Sequence, residues 1–560
     1  MLKSLLKRLF YLRTDATGPA LREPRASSES IENAAAGLME QARCNLVAGN
    51  HDQTQRICEQ LIGLDPEEPE AWLLLGRALN GKNDHVAAKH ALDQAVALGP
   101  DVAAAYYERG ITYERARVFR SALRDFHRAF ELNPAFTHAL INQGAMHYML
   151  GEIEQALACT ERALLIEPDH VIANRNRGLR LRELGRLEAA EHALRRAVAL
   201  RADDSESICG LALVLIDAGR FEEAEHCIAQ VLARDAANNE AHWNLALMFL
   251  LQGNFKEGWR HYESRRFRHD ALERPYRFPE WDGSPMPRGT LLIYAEQGLG
   301  DEILFSSCFA EALQRVGHGV IECEPRLEKL FRRSFPAATV QGSKMDAHPA
   351  WLDNATTISA QIAAGSLPGF LRGSWSDFPR HHGYLHADDS RIAYWRARLD
   401  ELGTGLKVGI AWTGGSMKTR RRLRSVTAVD LIPLLGAAAP HFVSLQYLDC
   451  SDDLFFMRNT LQVMVHHWQE AIDDYDETAA LVSALDLVIS VQTAVVHLAG
   501  ALGKPAWVLV PSSPEWRYMA RGESIPWYPS VRLFRQQKAG DWQPVVRRAA
   551  AELGQWVAAS

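Results

Sequence analysis

Residues 66–100 read PEEPEAWLLLGRALNGKNDHVAAKHALDQAVALGP, and the chain repeats this pattern at a fixed distance. Prolines stand 34 residues apart at Pro66, Pro100, Pro134 and Pro168, each closing a segment with the periodicity of two short amphipathic helices. Small residues keep the same register. Gly76, Gly110, Gly144 and Gly178 are continued by Ala212 and Ala246, while Ala88, Ala122, Ala156, Ala190 and Ala224 form a second column. Ala95, Ala129, Ala163 and Ala197 form a third. Small side chains at fixed register let neighbouring helices approach closely, so these columns predict stacked helical hairpins.

With Trp72, Tyr106 and Trp243 ahead of the Gly/Ala position, the segments resemble tetratricopeptide repeats, about seven of them across residues 34–268. The resemblance implies an α-solenoid whose groove holds an extended partner, with degenerate terminal repeats. Asn142, Asn176 and Asn244 share one register, interrupted by Glu108 and Gly210. An amide both donates and accepts, so such a column can grip a peptide backbone whatever its side chains. It resembles the asparagine ladder of protein O-GlcNAc transferases; simple hydration of a groove is the competing reading.

With 560 residues the chain exceeds one core, and 62 basic against 69 acidic side chains leave a net charge of −7. No global field draws it to nucleic acid, which is excluded as the main partner. The eight cysteines are scattered without a C-x-x-C pair, as in a reduced, cytoplasmic protein. Leu2, Leu5, Leu6 and Leu9 share a helical face away from Lys3, Lys7, Arg8 and Arg13. Residues 1–13 therefore suit either docking on the first repeat or weak contact with an anionic inner-membrane surface. Residues 14–33 read as a linker, closing an N-terminal segment 1–33.

After Trp259 the period is lost, and Pro275, Pro279, Pro285 and Pro287 mark a linker at 269–288. Short apolar runs then alternate with amphipathic segments: 290–295, 319–324, 406–412, 441–447, 485–491 and 506–510. Such runs predict parallel sheets covered on both faces, in two Rossmann-like halves at 289–400 and 401–560. Ligands of such sheets sit at the carboxyl ends of the strands, so the loops there hold the candidate chemistry.

The first such loop is Glu296-Gln297-Gly298-Leu299-Gly300-Asp301-Glu302. Gly298 and Gly300 are read as permitting a tight turn, and Asp301 arrives at a helix start, where it is either an N-cap or a base for an acceptor hydroxyl. In the second half, Trp412-Thr413-Gly414-Gly415-Ser416 leads into Lys418, Arg420, Arg421, Arg422, Arg424 and Ser425. A small-residue turn backed by five cations suits a diphosphate; a solvated basic loop is the alternative. Gln492 and Thr493 open another helix with His497 one turn along, placing free amides toward a phosphate. Asp474 and Asp476 are read as helix caps, with Glu477 a candidate ribose or base contact. The stretches 514–521 and 524–536 are dense in aromatics and arginine, which suits an anionic or sugar ligand as well as internal packing.

Taken together, EQGLGDE (296–302), VGIAW (408–412), RS (424–425), VSLQ (443–446), DETAAL (476–481), LDLVIS (485–490), HLAGALGKP (497–505) and PWYPSVRLFRQ (526–536) resemble a bacterial GT-B glycosyltransferase domain of the heptosyltransferase-like type. The resemblance implies an acceptor in the first half and a nucleotide sugar in the second, with no metal or cofactor. By it, Asp301 matches the base, while Thr493 and His497 match the donor-phosphate loop. Thr413, Gly414, Lys418, Arg424, Ser425, Glu477 and Gln492 are the further candidate donor contacts. Two departures stand out: Gln492 replaces the family's usual Asp, and Lys418 to Arg422 replace a more typical loop bearing Asn, His and Asp. The expectation is a glycosyltransferase acting on a polypeptide, flagellin or another surface protein, held by the repeats. The alternatives are a transferase for lipopolysaccharide sugars and a non-catalytic adaptor.

Overall fold

The computed structural model describes residues 28–268, 274, 276–343, 349, 351–352, 358–415, 420–436 and 440–559. Residues 1–13, most of the expected linker, part of 269–288 and Lys418 lie outside the described residues. The helical array begins within the expected linker, with the helix Ser28–Val47.

Fourteen helices run from there to Phe255–Tyr262, and consecutive ones pack as hairpins, among them Pro69–Gly81 on His85–Leu98 and Val171–Glu183 on Leu187–Leu200. The small-residue columns are packing contacts. A Cβ on Gly76 would meet Leu92 Cγ at 2.4 Å, one on Gly110 Phe126 Cε1 at 2.7 Å, and one on Gly178 Leu194 Cγ at 2.5 Å. In these three hairpins the first helix therefore lies directly on a large apolar side chain of the second. Ala88, Ala122, Ala156, Ala190 and Ala224 are fully buried.

A further column escaped the sequence reading. Each hairpin turn holds one residue in the left-handed region: Gly49, Asn83, Arg117, Gly151, Gly185, Gly219 and Gly253, with φ between 58° and 81°. Glycine adopts this conformation freely, whereas a side chain there is strained. Asn83 and Arg117 hid the column by breaking its glycine identity.

The chain divides into two compact units, Met1–Leu150 and Gly151–Ser560. The first has its own apolar core, including Ile57, Leu61, Leu74, Leu92 and Phe126. In the second, the later hairpins share a unit with the α/β region, so the division expected at residue 268 does not separate them. The reason is an aromatic cluster. Trp259, 3% exposed, meets Trp516 and Trp527 edge-on with centroids at 5.5 and 6.1 Å, and its Nε1 donates to the Arg372 carbonyl at 2.9 Å.

The α/β region carries two separate, wholly parallel sheets. The first holds β1 (Met286–Tyr294), β2 (Val316–Cys323), β3 (Ala338–Gly342) and β4 (Ala360–Ala363) in the order β3-β2-β1-β4. The second holds β5 (Lys407–Ala411), β6 (His441–Ser444), β7 (Val465–His466), β8 (Leu487–Val491), β9 (Ala506–Val510) and β10 (Val531–Arg535) in the order β10-β9-β8-β5-β6-β7. Strand order reverses beside β1 and between β5 and β8, which opens crevices at their carboxyl ends. Strands β3, β4, β7 and β10 were not among the expected runs; β10 lies inside the arginine-rich stretch 524–536. There Arg535 ties the carbonyls of Tyr518, Met519 and Gly522 together, and Arg532 pairs with Glu552, so these arginines are structural.

The turn column gives a direct test. No heavy atom lies within 4 Å of a Cβ built on Gly219, so Gly219→Ala isolates backbone strain and should cost about 1–2 kcal/mol in urea unfolding. Arg117→Gly should move stability the other way by up to about 1 kcal/mol. Unchanged midpoints for both would show that the turns are not strained.

Candidate functional site

A cleft of about 550 Å³ opens at the carboxyl ends of β1, β5 and β8. It gathers Gly298, Gly300, Asp301, Arg424, Gln492, Thr493 and His497 from the sequence candidates, and adds Arg326, Glu515, Arg517 and Tyr518.

Two helices set its walls. Leu299–Ser306 follows β1, and Ala494–Ala501 follows β8. A Cβ on Gly300 would stand 3.1 Å from His497 Cδ2 and 3.3 Å from the Ala494 Cα, so the glycine lets the two helices touch near their N-termini. This corrects the turn reading: neither Gly298, with φ of −82°, nor Gly300 occupies the left-handed region. Gly414 is also required by proximity, since a Cβ there would lie 2.4 Å from Thr493 Cγ2.

Asp301 sits in the first turn of Leu299–Ser306. Its Oδ2 accepts from the Gly298 amide at 3.3 Å, and its Oδ1 accepts from Arg517 Nε at 2.8 Å and also from Arg517 Nη2. Arg517 continues to Glu515 at 3.2 Å, and Arg424 Nη1 reaches the other Glu515 oxygen at 2.5 Å. The cleft floor is thus an alternating chain, Asp301–Arg517–Glu515–Arg424, that closes the two sheets onto one another. The next residue, Glu302, is 3% exposed and points away into the core. Burial, with Glu324 and Glu322 nearby, pushes its carboxyl up to about 8 although the Glu324 amide donates to Oε2 at 2.9 Å.

Thr493 caps Ala494–Ala501 without a side-chain cap bond; its hydroxyl lies 3.1 Å from Ser490 Oγ. The first-turn amides are left for an anion. His497 is 5% exposed, with Nδ1 3.3 Å from the Tyr528 hydroxyl. Burial, reinforced by Arg517 and Arg424, lowers its pKa to about 3, so it is a neutral imidazole at physiological pH. Gln492 is 2% exposed, and neither of its amide atoms has a partner among the described residues.

Other candidates lie elsewhere. Thr413 is held by Gln446, which accepts from its amide at 3.2 Å and donates to its carbonyl at 3.0 Å. Ser425 donates to the Arg421 carbonyl and accepts from the Gly414 amide, so Thr413, Gly414 and Ser425 shape the loop from outside the lining. Three of the four described arginines in the basic run are already paired: Arg420 with Asp217, Arg422 with Glu154 and Arg424 with Glu515. Glu477, expected at a ribose, instead accepts from Arg391 Nε at 2.7 Å and Trp395 Nε1 at 2.8 Å, which ties it to the helix Asp389–Asp400 joining the two sheets. Asp474 caps its helix through the Asp476 amide, as expected, and both pair across to Lys329 and Arg333.

Two of the three column asparagines bond between helices. Asn244 is fully buried and donates to the Cys209 carbonyl at 3.0 Å, which removes it from any groove ladder. Asn142 makes the equivalent reach to the Tyr107 hydroxyl at 3.1 Å, and Asn176 is half-buried. Spacing alone cannot separate an inward amide from a groove-facing one. Among the described residues, no helix is long and apolar enough to cross a membrane.

Tetratricopeptide repeat models match residues 46–108, 137–170 and 209–264. Protein FlbA of Caulobacter vibrioides is 35% identical over 319 residues, which is 54% of this chain and 53% of that protein. The chain therefore spans about half the length of this relative. Among solved structures, MamA is 23% identical with a TM-score of 0.27, covering 29% of this chain and 94% of its own. A tetratricopeptide repeat protein of Parabacteroides merdae is 15% identical with a TM-score of 0.37, covering 42% and 94%. YrrB, described as having an unusual peptide-binding site, is 20% identical with a TM-score of 0.28, covering 32% and 97%.

The buried Glu302 carboxyl gives a pH prediction. Its folded pKa, about 8, lies above the ordinary 4.5, so its contribution is fully present below pH 4.5 and is lost as pH rises through 8. Glu302→Gln should stabilise the protein more at pH 8 than at pH 5 and remove a slope of up to about 1.4 kcal/mol per pH unit. Parallel stability–pH curves for wild type and variant would contradict the burial of this carboxyl.

Proposed function

We propose that the cleft transfers a sugar from a nucleotide-sugar donor to a polypeptide acceptor held by the repeats. The observation that carries this reading is the meeting of Asp301, Arg517, Arg424, the Thr493 helix end and His497 in one cleft at the strand ends. Two helix N-termini and two guanidiniums suit a diphosphate, and a carboxylate beside them suits an acceptor hydroxyl. The resemblance to heptosyltransferase-like enzymes adds that this charge stabilisation needs no metal.

In this reading an entering diphosphate competes with Asp301 and Glu515 for Arg517 and Arg424, and Asp301 Oδ1 is released. Asp301 then takes the proton of the acceptor hydroxyl while its oxygen attacks the anomeric carbon. The bond from that carbon to the phosphate oxygen breaks, and its electron pair leaves with the phosphate, which the guanidiniums and the Ala494 and Val495 amides stabilise. Neutral His497, whose two ring nitrogens face the Tyr528 and Tyr518 hydroxyls, orients those hydroxyls at the cleft without adding charge. The family match of the repeats favours a protein as acceptor, with flagellin or another surface protein as the candidate. The adaptor alternative has one observation in its favour: the cations beside the cleft are already paired with carboxylates.

A nucleotide-sugar panel read by thermal shift, followed by turnover of the best donor, tests the proposal. Asp301→Asn should keep donor binding and lower turnover by at least about 100-fold. Unaffected turnover would remove Asp301 as the base, and a wild type that no donor shifts would favour the adaptor.

A further inference from the structure

Asp217 ends the helix Ser205–Asp217 in the repeats, yet two of its partners lie on two loops of the second sheet. Its side chain is 6% exposed, and Oδ2 accepts from Arg182 Nε at 2.6 Å and from Arg420 Nη1 at 2.7 Å. Its backbone carbonyl accepts from Ser513 Oγ at 3.1 Å. Arg420 stands in the left-handed region, φ 53°, a conformation that persists only where surrounding contacts hold it. It opens the short helix Arg421–Arg424, whose last residue lines the cleft. Ser513 begins the loop that carries Glu515 and Arg517.

Neighbouring contacts repeat this connection. Leu423 packs on Gly185, where a Cβ would come within 3.0 Å of Leu423 Cδ2, and Arg422 pairs with Glu154. The Ala520 amide donates to the Leu251 carbonyl at 2.8 Å. The two loops that supply Arg424, Glu515 and Arg517 are thus anchored on the helical array, and their arginine and glutamate meet in the cleft.

We infer that Asp217 is a positioning residue for the cleft: through Arg420 and Ser513 it holds both charged loops in place, coupling the repeat array to anion binding between the sheets. By linkage, a partner that shifts the helix Ser205–Asp217 would alter cleft affinity, and cleft occupancy would alter partner affinity by the same factor. The binding part of this inference rests on the transferase reading; the positioning part does not.

Hydrogen exchange by mass spectrometry on the ligand-free full chain tests positioning. Asp217→Asn should raise exchange at least threefold in peptides covering 409–415 and 420–425, and Ser513→Ala, which removes the bond to the main-chain carbonyl that asparagine keeps, should do so in 511–518. Arg182→Gln removes the other partner of Asp217 and should lower the melting temperature similarly while leaving those peptides protected. Unchanged exchange at 420–425 in the Asp217 variant, or equal release by Arg182→Gln, would overturn the inference. In a second arm, UDP and CMP are titrated by calorimetry. Asp217→Asn and Arg420→Gln should each weaken binding at least fivefold, with the double variant no weaker than either alone, whereas additive losses would overturn action through Arg420. If neither nucleotide binds wild type while exchange rises as expected, the transferase reading loses its support and the positioning role stands.

Discussion

A repeat array cannot bury the outer face of its last hairpin by itself, and here the indole of Trp259 supplies the solution. It is packed against Trp516 and Trp527 of the second sheet's loops and against Tyr262, with a hydrogen bond to the Arg372 carbonyl from the first sheet's side. One buried ring therefore joins the last hairpin to both sheets. Aromatic clusters of this kind bury large areas and prefer edge-to-face geometry, so they fix orientation as well as proximity. The loop after β1 depends on the same junction: Tyr262 donates to Gln297 at 3.0 Å, and Arg265 holds Glu296 at 2.6 Å.

From that junction the cleft follows by short steps. Glu296 and Gln297 fix the loop, the loop delivers Asp301, and Gly300 allows its helix to meet Ala494–Ala501. The second sheet then contributes Arg424, Glu515 and Arg517, which form an alternating charge chain with Asp301. Opposite charges interleaved in a partly dry site stabilise one another and remain exchangeable for a stronger anion. Gln492 is the exception, an amide left unpaired in a buried position, where an unmade bond costs about 1–3 kcal/mol.

Much of this was legible in the sequence because the signals were periodic or tied to strand ends. The 34-residue columns encode direct contacts, such as Gly76 on Leu92, so period and packing coincide. Strands β1, β5, β8 and β9 are long apolar runs, whereas β7 has two residues and β10 lies among arginines, so neither shows as a run. In the site, Asp301, Thr493 and His497 were found from their places after strands. Arg517 and Glu515 stood only within an aromatic and arginine-rich stretch, and Arg326 carried no signal. Charge pairing was the least legible property. Arg420 and Arg422 resemble phosphate ligands in sequence, and only the fold reveals Asp217 and Glu154 beside them. Asn244 failed for a similar reason, since register fixes a helix position but not which neighbour fills the space before it.

The proposed function has the repeats present a polypeptide to a sugar-transferring cleft. The most direct measurement is intact-mass and tandem mass spectrometry of proteins captured on the full chain after incubation with nucleotide sugar. The account predicts a discrete sugar mass on hydroxyl side chains of a captured protein, formed only when the donor is present. Captured proteins with unchanged mass, under conditions where the donor binds the cleft, would contradict it.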